Sequence, residues 1–305
     1  MKVHHALRRS GERPVILAIG FFDGFHRGHE AIVRQTLLLR RPGFRAAVLT
    51  FSNHPASLLR PQLQPALITT SEERLNLLAA AGIEECFFIP FDAGFARLSP
   101  QEFIDTVLVD NLGVRSVVVG ENFRFGADRA GDVEFARSQL QLRSVEFRGV
   151  PNQVDCSGRI SSSRIRTLIE RGDMEGADQL LVGSYTLRGS AVIGAGRGHE
   201  LGFPTANLAV SPGKALPKDG VYAAVARHDG RDYAALISVG SNPTFQGEER
   251  TVEAWLRDFN RPIYGEEVAL RNWRFIRDQR EFEDAAGLVV QMERDVLEVP
   301  YPSFV

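Results

Sequence analysis

Between residues 14 and 150, short apolar runs alternate with longer mixed stretches. The runs are VILAIG (15–20), AAVLTF (46–51), CFFIPF (86–91), SVVVG (116–120) and SVEF (144–147). A strand covered on both faces is apolar at nearly every position, and helices between such strands supply the cover. This rhythm therefore predicts βαβ units around a parallel sheet. Helix signals fall in the gaps. Ser99 is placed as an N-cap, Pro100 at the first turn, Glu102 as the closing member of a capping box and Gly113 as the stop. Thr70 and Glu73 form a similar box before RLNLLAAAG, which ends at Gly82. A further helical patch covers 161–181.

Past that patch the pattern changes. From Tyr185 to about Leu270, glycines and prolines punctuate short alternating runs (GVYAAVA, YAALISVG, TVEAWLRDF, EVALR), which predict a small antiparallel barrel or sandwich. Alternation in TVEAWLRDF puts Glu253, Trp255 and Phe259 on one face and Val252, Ala254 and Leu256 on the other. The tail returns to a helical period, with Phe282, Ala285, Ala286, Val289, Val290, Val296 and Leu297 on one stripe. The expected fold is α/β: a Rossmann-like domain with a parallel sheet over 1–183, then a small antiparallel β-barrel domain with a C-terminal helix over 184–305.

Composition narrows this picture at a few points. A chain of 305 residues has room for two cores, and 44% hydrophobic with 24% charged residues is ordinary for a globular protein. The formal charge of −2 gives no overall basic field, so neither a nucleic acid nor an anionic membrane is an expected partner and phosphate binding must be local. Cys86 and Cys156 show no pairing or metal-ligand spacing. Together with the lack of a signal-peptide pattern and of any apolar run of about 18 residues, they point to a cytoplasmic protein.

The first polar cluster that stands out is GFFDGFHRGHE (20–30), directly after the first apolar run. In open parallel sheets ligands bind beyond the carboxyl ends of strands, where the next helix turns its N-terminus toward them. Gly20, Gly24 and Gly28 permit close backbone approach there, and His26 and His29 would add donors beside a polyphosphate. The stretch is neither a Walker loop nor a GxGxxG fingerprint. Helix capping, a buried loop and zinc ligation are the other uses of two such histidines.

The cluster resembles the HxGH signature of the nucleotidylyltransferase superfamily, whose second signature resembles ISSTxIR. ISSSRIR (160–166) occurs later in the same domain, with Ser163 where threonine is common. FSNHP (51–55) and GENFRFG (120–126) resemble the intermediate motifs of the FMN adenylyltransferase module of bacterial FAD synthetases, with Asn53 where proline is frequent. The resemblance implies a nucleotide site that includes Gly20, Phe21, Asp23, Gly28, His54, Asn122, Ser161, Ser162, Ser163 and Arg166. It makes His26 and His29 catalytic, and it sets Phe125 against the isoalloxazine, with core packing as the other use of Phe123 and Phe125.

That family carries a riboflavin kinase module after the adenylyltransferase, and GSAVIGAGRGHELGFPTAN (189–207) ends in a close match to its PTAN signature. The resemblance implies that Gly194, Gly196, Gly198, Gly202 and Pro204 wrap ATP phosphates. His199 stands where many relatives have arginine. Magnesium prefers oxygen ligands, and Thr205 and Asn207 supply them. Glu253 occupies the position of the family's catalytic base, and FIRDQREF (275–282) places Arg277 at the border of the flavin site. Taken whole, the resemblance implies a bifunctional flavin-cofactor enzyme that uses riboflavin, FMN and ATP with Mg²⁺. One half would phosphorylate riboflavin to FMN, and the other would adenylylate FMN to FAD with release of pyrophosphate.

Overall fold

A computed structural model of the chain describes residues 1–9, 11, 13–193, 203–244 and 247–299. It divides into two compact units: residues 1–65 with 69–162, and residues 66–68 with 163–305. The helical segment 163–183, expected at the end of the first domain, belongs by its contacts to the second unit.

The first unit holds the predicted parallel sheet. Its elements are β1 (Lys2–His4), β2 (Val15–Ile19), α1 (Arg27–Leu38), β3 (Arg45–Phe51), α2 (Pro55–Leu59), α3 (Ser71–Ala80), β4 (Glu85–Ile89), α4 (Ala93–Ala96), α5 (Pro100–Glu102), β5 (Val114–Gly120), α6 (Val133–Gln141), β6 (Glu146–Val150) and the hairpin β7 (Val154–Asp155) and β8 (Gly158–Arg159). The strand order is β1-β4-β3-β2-β5-β6. All five apolar runs became strands, and every residue of β2 is buried, as a strand covered on both faces requires. Both capping boxes formed: Glu102 accepts from the Ser99 amide at 2.8 Å, and Glu73 from the Thr70 amide at 2.8 Å. Beyond α5 the chain continues in wider π-helical turns over Phe103–Asn111. The edge strand β1 was not anticipated, because three residues are too few to show a period.

This strand order locates a crevice. From β2 the chain winds outward through β3 to β4, then returns to lay β5 on the opposite side of β2. The carboxyl end of β2 is thus at the switch point, where an open α/β sheet leaves room for a ligand.

The second unit comprises α7 (Ser162–Glu170, whose first residue closes the first unit), α8 (Met174–Leu180), β9 (Leu187–Val192), β10 (Thr205–Val210), β11 (Gly220–His228), β12 (Arg231–Thr244), β13 (Gly247–Leu256), β14 (Glu267–Arg277) and α9 (Ala285–Leu297). The strands close into a barrel, β10-β13-β12-β11-β14-β9, with every pairing antiparallel. Val252, Ala254 and Leu256 of β13 are buried, as alternation required. On the opposite face Val221, Ala223, Ala234 and Leu236 pack with Val296 and Val299 around α9.

The structure corrects two expectations. Phe259 does not share the face of Glu253. The strand ends at Leu256, Asp258 turns through φ 57°, and the Phe259 ring packs on His228 and Tyr233. The buried stripe of α9 is also displaced. Val290 and Leu297 are exposed, while Leu288, Met292 and Asp295 face the barrel. A purely apolar reading missed that register because one member of the buried face is an aspartate.

Candidate active sites

The turn after β2 is strained. Phe22 and Phe25 are buried at φ 58° and 34°, flanking Gly24 at φ 80°. Such a conformation persists in bulky residues only where surrounding contacts fix it. Several contacts do so. Asp23 Oδ1 accepts from the Thr69 amide at 2.9 Å and the Thr69 hydroxyl at 3.0 Å, and the Gly24 amide donates to the same hydroxyl oxygen. The Ser162 hydroxyl donates to the Asp23 carbonyl at 2.8 Å. Asp23, assigned to the nucleotide by resemblance, thus has its carboxylate turned inward as an anchor.

His26 is the N-cap of α1. Its Nδ1 accepts from the Gly28 and His29 amides at 3.1 and 3.3 Å. An accepting nitrogen carries no proton, so the proton of the neutral ring lies on Nε2. A Cβ on Gly28 would stand 2.9 Å from the His26 ring, which is why only glycine fits there. The His29 ring stacks on His26 with centroids 3.7 Å apart. His29 Nδ1 is buried without a hydrogen-bond partner. Burial first, then the neighbouring His26 and Arg74, hold the His29 imidazole well below the ordinary histidine range. The pair therefore stands neutral at the positive end of a helix, with ring N–H groups as the donors it offers.

Of the other residues expected here, His54 caps α2 through Nδ1 and its ring meets Phe21 edge-on at 4.8 Å. Phe21, His54, His26, His29, Gly20, Gly28, Asp23 and Ser162 thus gather at the ends of β2 and β3. Ser161 and Ser163 flank the first residue of α7, and Arg166 lies one turn along it. Asn122 lines a cavity of about 630 Å³ beyond β5 and β6, together with Arg124, Arg129, Arg137 and Arg159. Phe125 is 7% exposed and packed among Phe103, Phe123 and Phe135, so the expected flavin-stacking ring is a member of the core. Arg74, which sequence reasoning passed over, is wholly buried beneath the turn.

In the second unit, ladder register does the assembling. Asn207 stands opposite Glu253, Glu253 opposite Ser238, Ser238 opposite Val221 and Val221 opposite Arg277, so residues from β10, β13, β12, β11 and β14 form one row. Thr205 lies opposite Trp255 in the neighbouring row. Opposed residues share a face, so Thr205, Asn207 and Glu253 point the same way. Thr205, Glu253, Trp255, Arg277, Phe282, Leu288 and Met292 line a cavity of about 700 Å³ between the barrel face and α9. Its wall is partly apolar and partly carboxylate, a lining that suits a flat aromatic molecule with a polar tail. Pro204 precedes β10, while Gly194, Gly196, Gly198, His199 and Gly202 lie outside the described residues.

Arg277 borders this cavity, but its guanidinium is committed. It forks onto Asp295 of α9 at 3.0 and 2.7 Å, and Gln291 donates to the same carboxylate at 2.8 Å. The side chains are 12% and 3% exposed. Asp295→Ala leaves a nearly buried cation without its partner and is expected to cost about 3–5 kcal/mol. Denaturant unfolding checks this. A donor set of hydroxyl, amide and carboxylate oxygens at Thr205, Asn207 and Glu253 fits a hard cation such as magnesium. Among the described residues no group of three or more His, Cys, Asp or Glu side chains has a metal-holding arrangement.

Comparisons with known proteins bear on both units. Residues 9–164 match the FAD synthetase family and residues 181–300 the riboflavin kinase family. Bifunctional riboflavin kinase/FMN adenylyltransferases from Listeria monocytogenes (36% identical; 92% of this chain and 90% of the relative), Bacillus subtilis (33%; 96% and 93%) and Escherichia coli K12 (32%; 96% and 94%) align along nearly the whole sequence. A crystal structure described as a macrolide-efflux protein from Streptococcus pneumoniae superposes with a TM-score of 0.87 at 32% identity, covering 98% of this chain and 99% of that one.

Proposed function

The chain belongs to the bifunctional riboflavin kinase/FMN adenylyltransferase family, and from that premise we propose how its two sites carry out the two reactions. The C-terminal half phosphorylates riboflavin with ATP to give FMN and ADP. The N-terminal half adenylylates FMN with a second ATP to give FAD and pyrophosphate. The observation that carries the assignment is Glu253, opposite Asn207 in the ladder and sharing a cavity wall with Thr205, in one unit and the stacked His26–His29 pair at the sheet switch point in the other.

In the kinase half, riboflavin enters the cleft beneath α9 with Trp255, Phe282 and Met292 against its ring. Glu253 accepts the proton of the terminal ribityl hydroxyl as that oxygen bonds to the γ-phosphorus and the β–γ bridge breaks. Thr205 and Asn207 would hold Mg²⁺, which when bound neutralises charge on the ATP phosphates. Pro204 precedes β10, and the resemblance assigns Gly194, Gly196, Gly198 and Gly202, which lie outside the described residues, to those phosphates. Arg277 holds α9 in place through Asp295 and so shapes the flavin side of the cleft.

In the adenylyltransferase half, a phosphate oxygen of FMN attacks the α-phosphorus of ATP and the α–β bridge breaks. No proton must leave the nucleophile, so no base is required. His26 Nε2–H and the His29 ring stabilise charge on the transferring and leaving phosphates. Gly20, Phe21 and Gly28 bring backbone close to the nucleotide, Asp23 fixes their turn, and Ser161, Ser162, Ser163 and Arg166 hold the triphosphate. His54 and Asn122 complete the nucleotide and flavin surface. Phe125 contributes as packing under that surface. The functional halves run 1–183 and 184–305, and the enzyme works in the cytoplasm. Among the described residues no helix is long and apolar enough to cross a membrane.

Incubation with riboflavin, ATP and Mg²⁺ followed by chromatography of the flavins tests the reading. FMN is expected first and FAD after it, and FMN without FAD would retire the N-terminal assignment. Asn207→Ala is expected to lower FMN formation by about 10²–10³, while supplied FMN is still converted to FAD.

A further inference from the structure

The adenylyl-transfer reading leaves one buried charge unexplained. Arg74 of α3 is 1% exposed. Its Nη1 donates to the Phe21 carbonyl at 3.0 Å and its Nη2 to the Phe51 carbonyl at 2.9 Å, which ties the start of the histidine turn to the last residue of β3. The guanidinium carbon stands 4.2 Å from the Phe21 ring centroid and 5.5 Å from that of Phe88. Its Nε is buried without a hydrogen-bond partner.

Two carbonyl oxygens do not require a full charge. The Thr50 hydroxyl already donates to the Phe21 carbonyl at 3.0 Å. A neutral side chain would serve the same anchoring at lower desolvation cost. Burial pulls the Arg74 pKa down to about 10, and the nearby Asp23 carboxylate only partly offsets it. A positive charge kept behind the histidine turn at that cost points to an anion on the other side. The titratable or charged groups acting on His29 are its stacked neighbour His26 and this same Arg74, with Phe22 against its ring.

Resting on the adenylyl-transfer reading, we propose that Arg74 is a positioning residue for that reaction: it anchors Phe21 and the turn bearing His26 and His29, and its fixed charge favours the polyphosphate bound in front of them. After burial and His26, its charge also adds to what holds His29 neutral in the free enzyme, so that the imidazole meets phosphate as a donor and not as a competing buried cation.

The test compares wild type, Arg74→Met and Arg74→Lys, with FMN and ATP supplied and riboflavin phosphorylation by the same chains measured in parallel. The Met chain is expected to lose about 10²-fold in kcat for FAD formation and to show its acid limb of kcat/KM at higher pH, with kinase turnover retained. The Lys chain keeps the charge and is expected to regain at least about tenfold of the loss, some 1.4 kcal/mol, and the wild-type acid limb. Equal rates and equal pH profiles for Met and Lys overturn the proposal, as does a Met chain as fast as wild type. Should the Met chain not fold, the Lys chain decides: it must keep the wild-type acid limb, and a displaced limb contradicts the proposal. Absence of FAD from wild type would instead overturn the reaction assigned to this half.

Discussion

Glu253→Gln is expected to lower FMN formation by about 10²–10⁴, the range for removing a positioned acid–base group, while adenylylation of supplied FMN proceeds at the wild-type rate. Glutamine keeps the size and polarity of the side chain, so the ladder Asn207–Glu253–Ser238 can form unchanged and the variant isolates proton acceptance. The carboxylate lies on the cavity face of β13, and its strand neighbours Val252 and Ala254 are each 1% exposed on the other side. A structural role for Glu253 would cost stability and leave turnover of the folded fraction intact. Single-turnover measurement of FMN on the folded fraction separates the two.

His29→Ala is the reciprocal case. It removes a donor from the stacked pair and is expected to lower FAD formation from supplied FMN and ATP by about 10²–10³, with riboflavin phosphorylation retained. It also bears on stability. Because the folded protein holds the His29 imidazole below the ordinary histidine value, protonation favours the unfolded chain. Wild type should therefore lose stability as pH falls through about 6.5, and the alanine chain should lose less over the same interval. A His29→Ala protein that makes FAD at the wild-type rate would remove the imidazole pair from the chemistry.

Local features were the ones legible in the sequence. Gly28, His26 and His29 lie within one turn, and the capping use of His26 comes from its position before α1. The five apolar runs declared the parallel sheet because a doubly covered strand leaves its signature in consecutive residues. The candidate residues of the barrel were legible one by one, in PTAN and Glu253, whereas the register that sets Asn207 opposite Glu253 was not. Side chains that work across the chain were not legible. Arg74 acts on a carbonyl 53 residues earlier, and Asp295 is a polar residue on a buried helix face. Phe259 was misplaced, and Phe125 packs among Phe103 and Phe135 from other elements. An aromatic beside a motif packs wherever the fold leaves space, and alternation carries no information past the residue where a strand turns.

Two separate sites in one chain are the central claim, and complementation tests it most directly. Glu253→Gln and His29→Ala proteins are each given riboflavin, ATP and Mg²⁺, alone and mixed, and the flavins are resolved over time. Alone, the first is expected to leave riboflavin unchanged and the second to stop at FMN; mixed, they make FAD, because FMN released by one is adenylylated by the other. FAD formed by either protein alone at the wild-type rate, or none from the mixture of two folded proteins, would contradict the account.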